Sequence, residues 1–375
     1  MQDPRASFPC GGGQANLPVA GHLRRGNCVI RNPHKGRTEY ENMDAAKLRA
    51  ILPGVPLVES PFFDEIAAES GFDAETARIA RDLNQNGFAI LRFPDEQFEV
   101  RAEKIKQNLV SHFDFAAWRA EGWKLGGMRV QDAWAFDADV HALAVNPRII
   151  KILSEIFGRQ AWPFQTLNFP VGSQQHYHSD SVHFSSIPER FMCGVWVALE
   201  DVSEGAGPLE YYPGSHKWPI VYNDQIGIRV TNSKKSSSQE IYHDVWEALV
   251  EKNGVSPQLF FPRKGDTLIW AANLLHGGSR QGDLNATRWS QVTHYFFENC
   301  CYITPMLSDV PIGKLRVRDL TDIATGAKVP HIYIDAKLSD LEPPPPWPSR
   351  LERLLRHPVR SLKKAVAMLR GPGAA

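Results

Sequence analysis

The chain has 375 residues, 42 Lys and Arg against 42 Asp and Glu, with 43% hydrophobic and 22% charged residues. A formal net charge of zero excludes the broad basic field that nucleic-acid backbones select, and the hydrophobic content excludes a disordered polar chain. No apolar run approaches the roughly 20 residues that cross a bilayer as a helix.

Residues 1–60 are rich in Gly, Pro, Asn and basic side chains without sustained periodicity, and read as a loosely structured arm. The opening MQDPRASFPCGGG lacks an apolar stretch behind a basic start, which argues against a secretory leader. Cys10, Cys28, Cys193, Cys300 and Cys301 form no CxxC spacing, so neither a disulfide framework nor a zinc cage is indicated and a reducing cytoplasm is expected. A main domain is expected over 61–310. Within it, AETARIARDLNQNG puts Ala77, Ile79, Ala80 and Leu83 at helical spacing, with Asp73 as cap and Gly87 as stop. FAILRF (88–93) reads as a strand, helices are predicted at about 97–112 and 140–157, and MRVQDAW (128–134) has β character.

From about 162 to 300 the texture becomes short aromatic and β-branched runs broken by Gly and Pro: PFQTLNF, FMCGVWVALEDV, PLEYYP, QLFFP, DTLIWA and TRWSQVTHYFF. Such spacing predicts a sandwich or barrel rather than a βαβ series. One helix, 238–254, interrupts them. Residues 311–375 form an extension in which LEPPPPWPSR is a semi-rigid strap. The tail beyond it is basic and amphipathic, suited to docking on its own domain or to peripheral membrane contact.

The densest chemistry lies in GSQQHYHSDSVHF (172–184). On a strand, the H-x-D spacing of His178 and Asp180 sends both side chains to one face, where an imidazole and a carboxylate can share a metal. His276, followed by Gly277 and Gly278, is the distal candidate for a third ligand. Two imidazoles and one carboxylate are the ligand set of non-haem Fe(II) oxygenases, and also of some zinc hydrolases. Arg288 opens a strongly β segment; beside the strand carrying His276 it would lie buried and require an anion. The distal carboxylate of a 2-oxo acid would supply one, with Ser290 on the same face as a second donor.

These residues carry a resemblance. HSD (178–180), VWVALEDVSEGAGPLEYYPGSHK (195–217), GDTLIWAANLLHGG (265–278) and the R-x-S at 288–290 are similar to the phytanoyl-CoA dioxygenase family of Fe(II)/2-oxoglutarate oxygenases. The resemblance spans about Gln165 to Glu298 and implies an α+β chain with a double-stranded β-helix (jelly-roll, cupin-like) core. It implies that His178, Asp180 and His276 hold Fe(II), and that Arg288 binds 2-oxoglutarate. Gln175, and more weakly Gln131, would contact the same co-substrate. It further implies O₂-dependent hydroxylation of a small organic or lipid-like substrate, with release of succinate and CO₂. A carboxylate at Asp180, where halogenating relatives carry Gly or Ala, points to hydroxylation. Leu209 stands where some relatives place a co-substrate-binding threonine. His216, in the PGSH turn, and His176 are read as structural, His183 as lining the entrance or packing, and Trp196 and Phe184 as facing the pocket. The competing readings are a metal-dependent cupin that uses no 2-oxo acid and a non-catalytic binding protein on the same fold.

Overall fold

The computed structural model of the protein describes residues 44–121, 128–230 and 239–341. Residues 1–43, the Pro-rich strap and the basic tail lie outside the described residues. Part of the anticipated arm is ordinary packed structure: helix α1 (Ala45–Ile51) starts at Asp44, whose side chain accepts from the Lys47 N–H at 2.8 Å, and it buries Ala45 and Leu48. A single tight turn at Leu57–Glu59 buries Val58, and α2 (Phe63–Ala68) follows. A seven-residue helix with two buried positions is too short to show a periodicity in sequence.

Helix α3 (Ala74–Asn86) is capped by Asp73 and stopped by Gly87 at φ 85°, as the capping signals predict. Strand β1 (Phe88–Arg92), α4 (Phe98–Leu109) and α5 (Phe115–Glu121) come next. The β character at 128–134 yields only β2 (Val130–Gln131), because Asp132 turns the chain at φ 56°. The helix expected over 140–157 is in fact two, α6 (Ala138–Ala144) and α7 (Pro147–Phe157). Asn146 caps the second, and Pro147 sits in its first turn, where its missing N–H is no loss but where an unbroken helix would have been disrupted.

The β-rich half supplies β3 (Ala161–Phe169), β4 (Ser185–Ile187), β5 (Met192–Ala198), β6 (Leu209–Tyr211), helix α8 (His243–Asn253), β7 (Gln258–Phe260), β8 (Asp266–Ala271), β9 (His276–Gly278), β10 (Ser290–Phe297) and β11 (Cys301–Ile303). A small hairpin, β12 (Ile332–Tyr333) and β13 (Ala336–Lys337), follows. The larger sheet runs β1-β8-β5-β10-β3-β2, the smaller β7-β6-β9, and β11 pairs with β4; every pairing between strands is antiparallel.

The alternation along β5 and β10 decides the layers. Val195, Val197, Tyr295 and Phe297 pack with residues of α3, α4, α6 and α7 in the main core. Trp196, Ala198 and Val292 point the other way, meeting Tyr211 and Phe260 of the smaller sheet in a second core. Both strands are buried on both faces; β5 accordingly reads as a continuous apolar run, whereas β10 also buries Ser290, Gln291, Thr293 and His294. Helices thus cover one face of the larger sheet and the smaller sheet covers the other. None of the described helices is long and apolar enough to cross a membrane.

Gly194 on β5 lies opposite Trp270 on β8, and a Cβ there would fall 2.0 Å from the indole. Gly194→Ala should therefore cost about 1–3 kcal/mol through overpacking, measurable as a lower denaturation midpoint at unchanged slope.

Candidate metal centre and its cavity

After β3 the chain runs over the smaller sheet to His178, which forms an isolated antiparallel bridge with His276. Each backbone N–H donates to the other's carbonyl, at 2.9 and 3.0 Å. The bridge brings the two rings to a centroid separation of 4.7 Å. It depends on close approach: a Cβ on Gly277 would lie 2.8 Å from the Gln175 carbonyl and 2.9 Å from the Tyr177 backbone.

Both imidazoles are held in one tautomer. His178 Nδ1 faces the His176 carbonyl at 2.9 Å and His276 Nδ1 faces the Leu274 carbonyl at 3.0 Å. A carbonyl only accepts, so the proton sits on Nδ1 and each Nε2 presents a lone pair. Those lone pairs converge on Asp180: His178 Nε2 is 3.7 Å from Oδ1, and His276 Nε2 is 3.7 Å from Oδ2. These separations are too long for hydrogen bonds. Ligand atoms of the three residues lie within 4.8 Å of one another, the spacing of donors around one ion, and no other such group occurs among the described residues.

Asp180 does not lie on a strand as the H-x-D spacing suggested; it opens a tight turn, Asp180–Val182, capped by Ser179. The turn still delivers the carboxylate to the two rings. Trp270 Nε1 donates to Asp180 Oδ2 at 2.9 Å, fixing one oxygen from the outer side. Burial drives the His178 pKa far down, so its ring is neutral at pH 7. Burial alone would raise the pKa of Asp180, yet it lies below the ordinary carboxylate value, with the Trp270 N–H donating to the ionised form.

Arg288 is 1% exposed. It does not come from a neighbour of β9, as the sequence suggested: the strand it leads, β10, pairs with β3 and β5, so Arg288 reaches the cavity from the opposite sheet. Burial lowers its pKa to about 10, which leaves it a cation at neutral pH. Nη1 donates to the Gly207 carbonyl at 2.9 Å, whereas Nε is buried without a partner. Among the described residues it pairs with no carboxylate. The Ser290 hydroxyl and the Trp196 indole N–H are likewise buried and unpartnered, and the guanidinium lies 5.9 Å from the Trp196 ring. A buried guanidinium left this way costs several kcal/mol unless an anion joins it.

One cavity of about 230 Å³ connects the two ends, lined among others by His178, Asp180, His276, Arg288, Gln175, Gln131, Leu209, Trp196, Phe184 and His183. Ser290 is fully buried and is not among the residues that line it. His176 instead pairs with Glu247 at 2.9 Å and stacks on His243. His216 packs away from the cavity, its Nε2 donating to the Asn84 carbonyl. The sequence reading missed His294, Gln165, Gln239 and Trp270, all of which line the same cavity. For His294 a signal existed, since Arg288, Ser290, Val292 and His294 alternate along one strand face.

The model of the family "Phytanoyl-CoA dioxygenase (PhyH)" matches residues 62–282, more than half of the chain. The chain belongs to the phytanoyl-CoA dioxygenase family. It is accordingly a non-haem iron- and 2-oxoglutarate-dependent oxygenase of cupin-like fold, and its donor set of two imidazoles and a carboxylate fits that metal. A probable phytanoyl-CoA dioxygenase of Caenorhabditis elegans is 21% identical over 251 residues, covering 60% of this chain and 77% of the relative. Among solved structures, the non-heme alpha-ketoglutarate-dependent epimerase SnoN from nogalamycin biosynthesis aligns at TM-score 0.45 and 19% identity, over 61% of this chain and 85% of its own. EctD from S. alaskensis, with 2-oxoglutarate and 5-hydroxyectoine, aligns at 0.43 and 16%, over 60% and 76%.

In this dioxygenase-family chain the indole bond to Asp180 bears on the metal directly. Trp270→Phe removes one hydrogen bond at nearly constant shape and should weaken Mn(II) or Co(II) binding about tenfold while the fold is retained, read by metal titration alongside circular dichroism.

Proposed function

We propose that the protein is a hydroxylase that uses O₂ and 2-oxoglutarate to convert a C–H bond of a small organic substrate to an alcohol. The observation that carries this is a pair of features in one cavity: three convergent ligand atoms at one end and, at the other, a buried cation with no carboxylate partner among the described residues. His178, Asp180 and His276 would hold Fe(II), with Nδ1–H bonds to backbone carbonyls keeping the rings oriented. Arg288 and the hydroxyl of Ser290, with the Trp196 N–H beside them, would receive the distal carboxylate of 2-oxoglutarate, and Gln175 and Gln131 would contact the same molecule from the cavity wall. Bound Fe(II) and 2-oxoglutarate supply the oxidation: one oxygen atom of O₂ enters succinate, released with CO₂, and the other enters the substrate C–H.

The protein's own work is to orient these groups and to keep water away from them. Phe184, Leu268 and Val292 form apolar wall between the two ends. The facing sheets support a double-stranded β-helix reading of the core. The neutral charge balance supports a small-molecule partner rather than nucleic acid, and the cysteine usage supports a cytoplasmic setting. A metal-dependent cupin without a 2-oxo acid would leave Arg288 uncompensated.

Two experiments test this. His178→Ala or Asp180→Ala should reduce substrate-dependent succinate formation to background, and retained turnover in either would contradict the assignment. Anaerobic Fe(II) protein should develop a weak visible charge-transfer band on titration with 2-oxoglutarate. Arg288→Met should lose that response while its unfolding free energy stays within about 1 kcal/mol of wild type or rises, because the exchange removes an unpaired buried charge.

A further inference from the structure

Two histidine–glutamine pairs line the cavity and are used neither by the three ligand residues nor by the Arg288 end. His294, 4% exposed, shares the inner face of β10 with Ser290, and its Nδ1 meets Gln165 Oε1 at 3.1 Å. Its Nε2 is 3.7 Å from Asp180 Oδ2, beyond hydrogen-bond distance. At the cavity mouth His183 Nε2 meets Gln239 Oε1 at 2.8 Å. In each pair the amide oxygen is spent on a ring N–H. The amide NH₂ groups and the remaining ring nitrogens have no partner among the described residues. All four residues line the cavity.

Phe184 stands between the pairs, its ring centroid 5.0 Å from that of His294 and 6.0 Å from that of His183. Arg318, from the segment following β11, backs this wall: its guanidinium lies 4.7 Å from the Phe184 centroid, and Nη1 donates to Thr304 Oγ1 at 2.9 Å. A histidine that merely completes a core would have both ring nitrogens bonded or enclosed. Here half of each pair is committed to holding the other half in place, facing the cavity.

We propose that the His294–Gln165 and His183–Gln239 pairs form the primary-substrate subsite, and that the substrate is an oxygen-rich molecule, a polyol or sugar-like ring, rather than a hydrocarbon chain. An imidazole nitrogen that accepts and an amide that donates together match a hydroxyl, which does both. Two such positions flanking an aromatic ring match a hydroxylated ring with an apolar face. A hydrocarbon in the same place would strand these groups, each at a cost on the order of tenfold in affinity. The assignment of this end to the substrate rests on the oxygenase reading; the hydrogen-bonding character of the subsite does not.

The test compares methyl α-D-glucopyranoside and myo-inositol with their deoxygenated counterparts, tetrahydropyran and cyclohexanol. Binding to the full chain loaded with Zn(II) and 2-oxoglutarate is followed by ligand-observed NMR. At least one oxygenated probe should bind about tenfold or more tighter than its counterpart, and Gln165→Leu should abolish that preference. Gln239→Leu, at the half-buried mouth, gives a second reading should the first variant fail to fold. In both variants 2-oxoglutarate affinity should stay within about twofold of wild type. Equal or tighter binding of the deoxygenated rings, or a preference that survives both substitutions, would overturn the proposal. Titrating Zn(II)-loaded protein prepared without 2-oxoglutarate, first with that acid and separately with the rings, separates the two readings: protein that binds the oxygenated rings but not 2-oxoglutarate keeps the subsite and loses the oxygenase assignment, and the reverse pattern does the opposite.

Discussion

The site depends on a single backbone bridge. His178 and His276 come from segments almost a hundred residues apart, and the pair of reciprocal N–H to carbonyl bonds between them sets the ring positions before any ion is considered. Everything that makes the pair useful follows: close approach, Nδ1 tied to local carbonyls, and Nε2 atoms turned to a common point. The bridge in turn requires glycine at 277, because any side chain there would collide with the backbone of the crossing segment. A metal centre organised this way is preformed, so an arriving ion need not order its ligands.

The opposite end of the cavity is built on the reverse principle. There the protein leaves one donor each of Arg288, Ser290 and Trp196 sealed from water and unpartnered, which costs stability. Near the metal ligands the balance is struck internally, with the Trp270 N–H donating to a buried carboxylate. One end is thus balanced as it stands, and the other keeps a buried cation that pairs with no carboxylate among the described residues.

Much of this is written plainly in the sequence. The three ligand residues and Arg288 are legible because their chemistry is unusual at their spacing, and β5 because both-sided burial leaves a continuous apolar run. The capping of α3 is equally plain. The split between α6 and α7 was available in Asn146–Pro147 but hidden by the unbroken apolar pattern around it. The pairing partner of β10 was not legible, since strand order across two sheets is a long-range property that no local window contains. His294 was legible in its alternation with Arg288, Ser290 and Val292, whereas its partner Gln165 was not, because the register that sets it opposite on β3 is a long-range property.

The position of β10 has one more consequence. The family match stops at residue 282, yet β10 begins eight residues later and lies between β3 and β5, in the middle of the larger sheet. A chain cut at the edge of the recognisable family region would keep all three ligand residues and still lose the strand that joins the sheet's two halves. Borders drawn by similarity and borders drawn by cooperative folding therefore do not coincide in this molecule, and a strand beyond the matched region joins the two halves of its larger sheet.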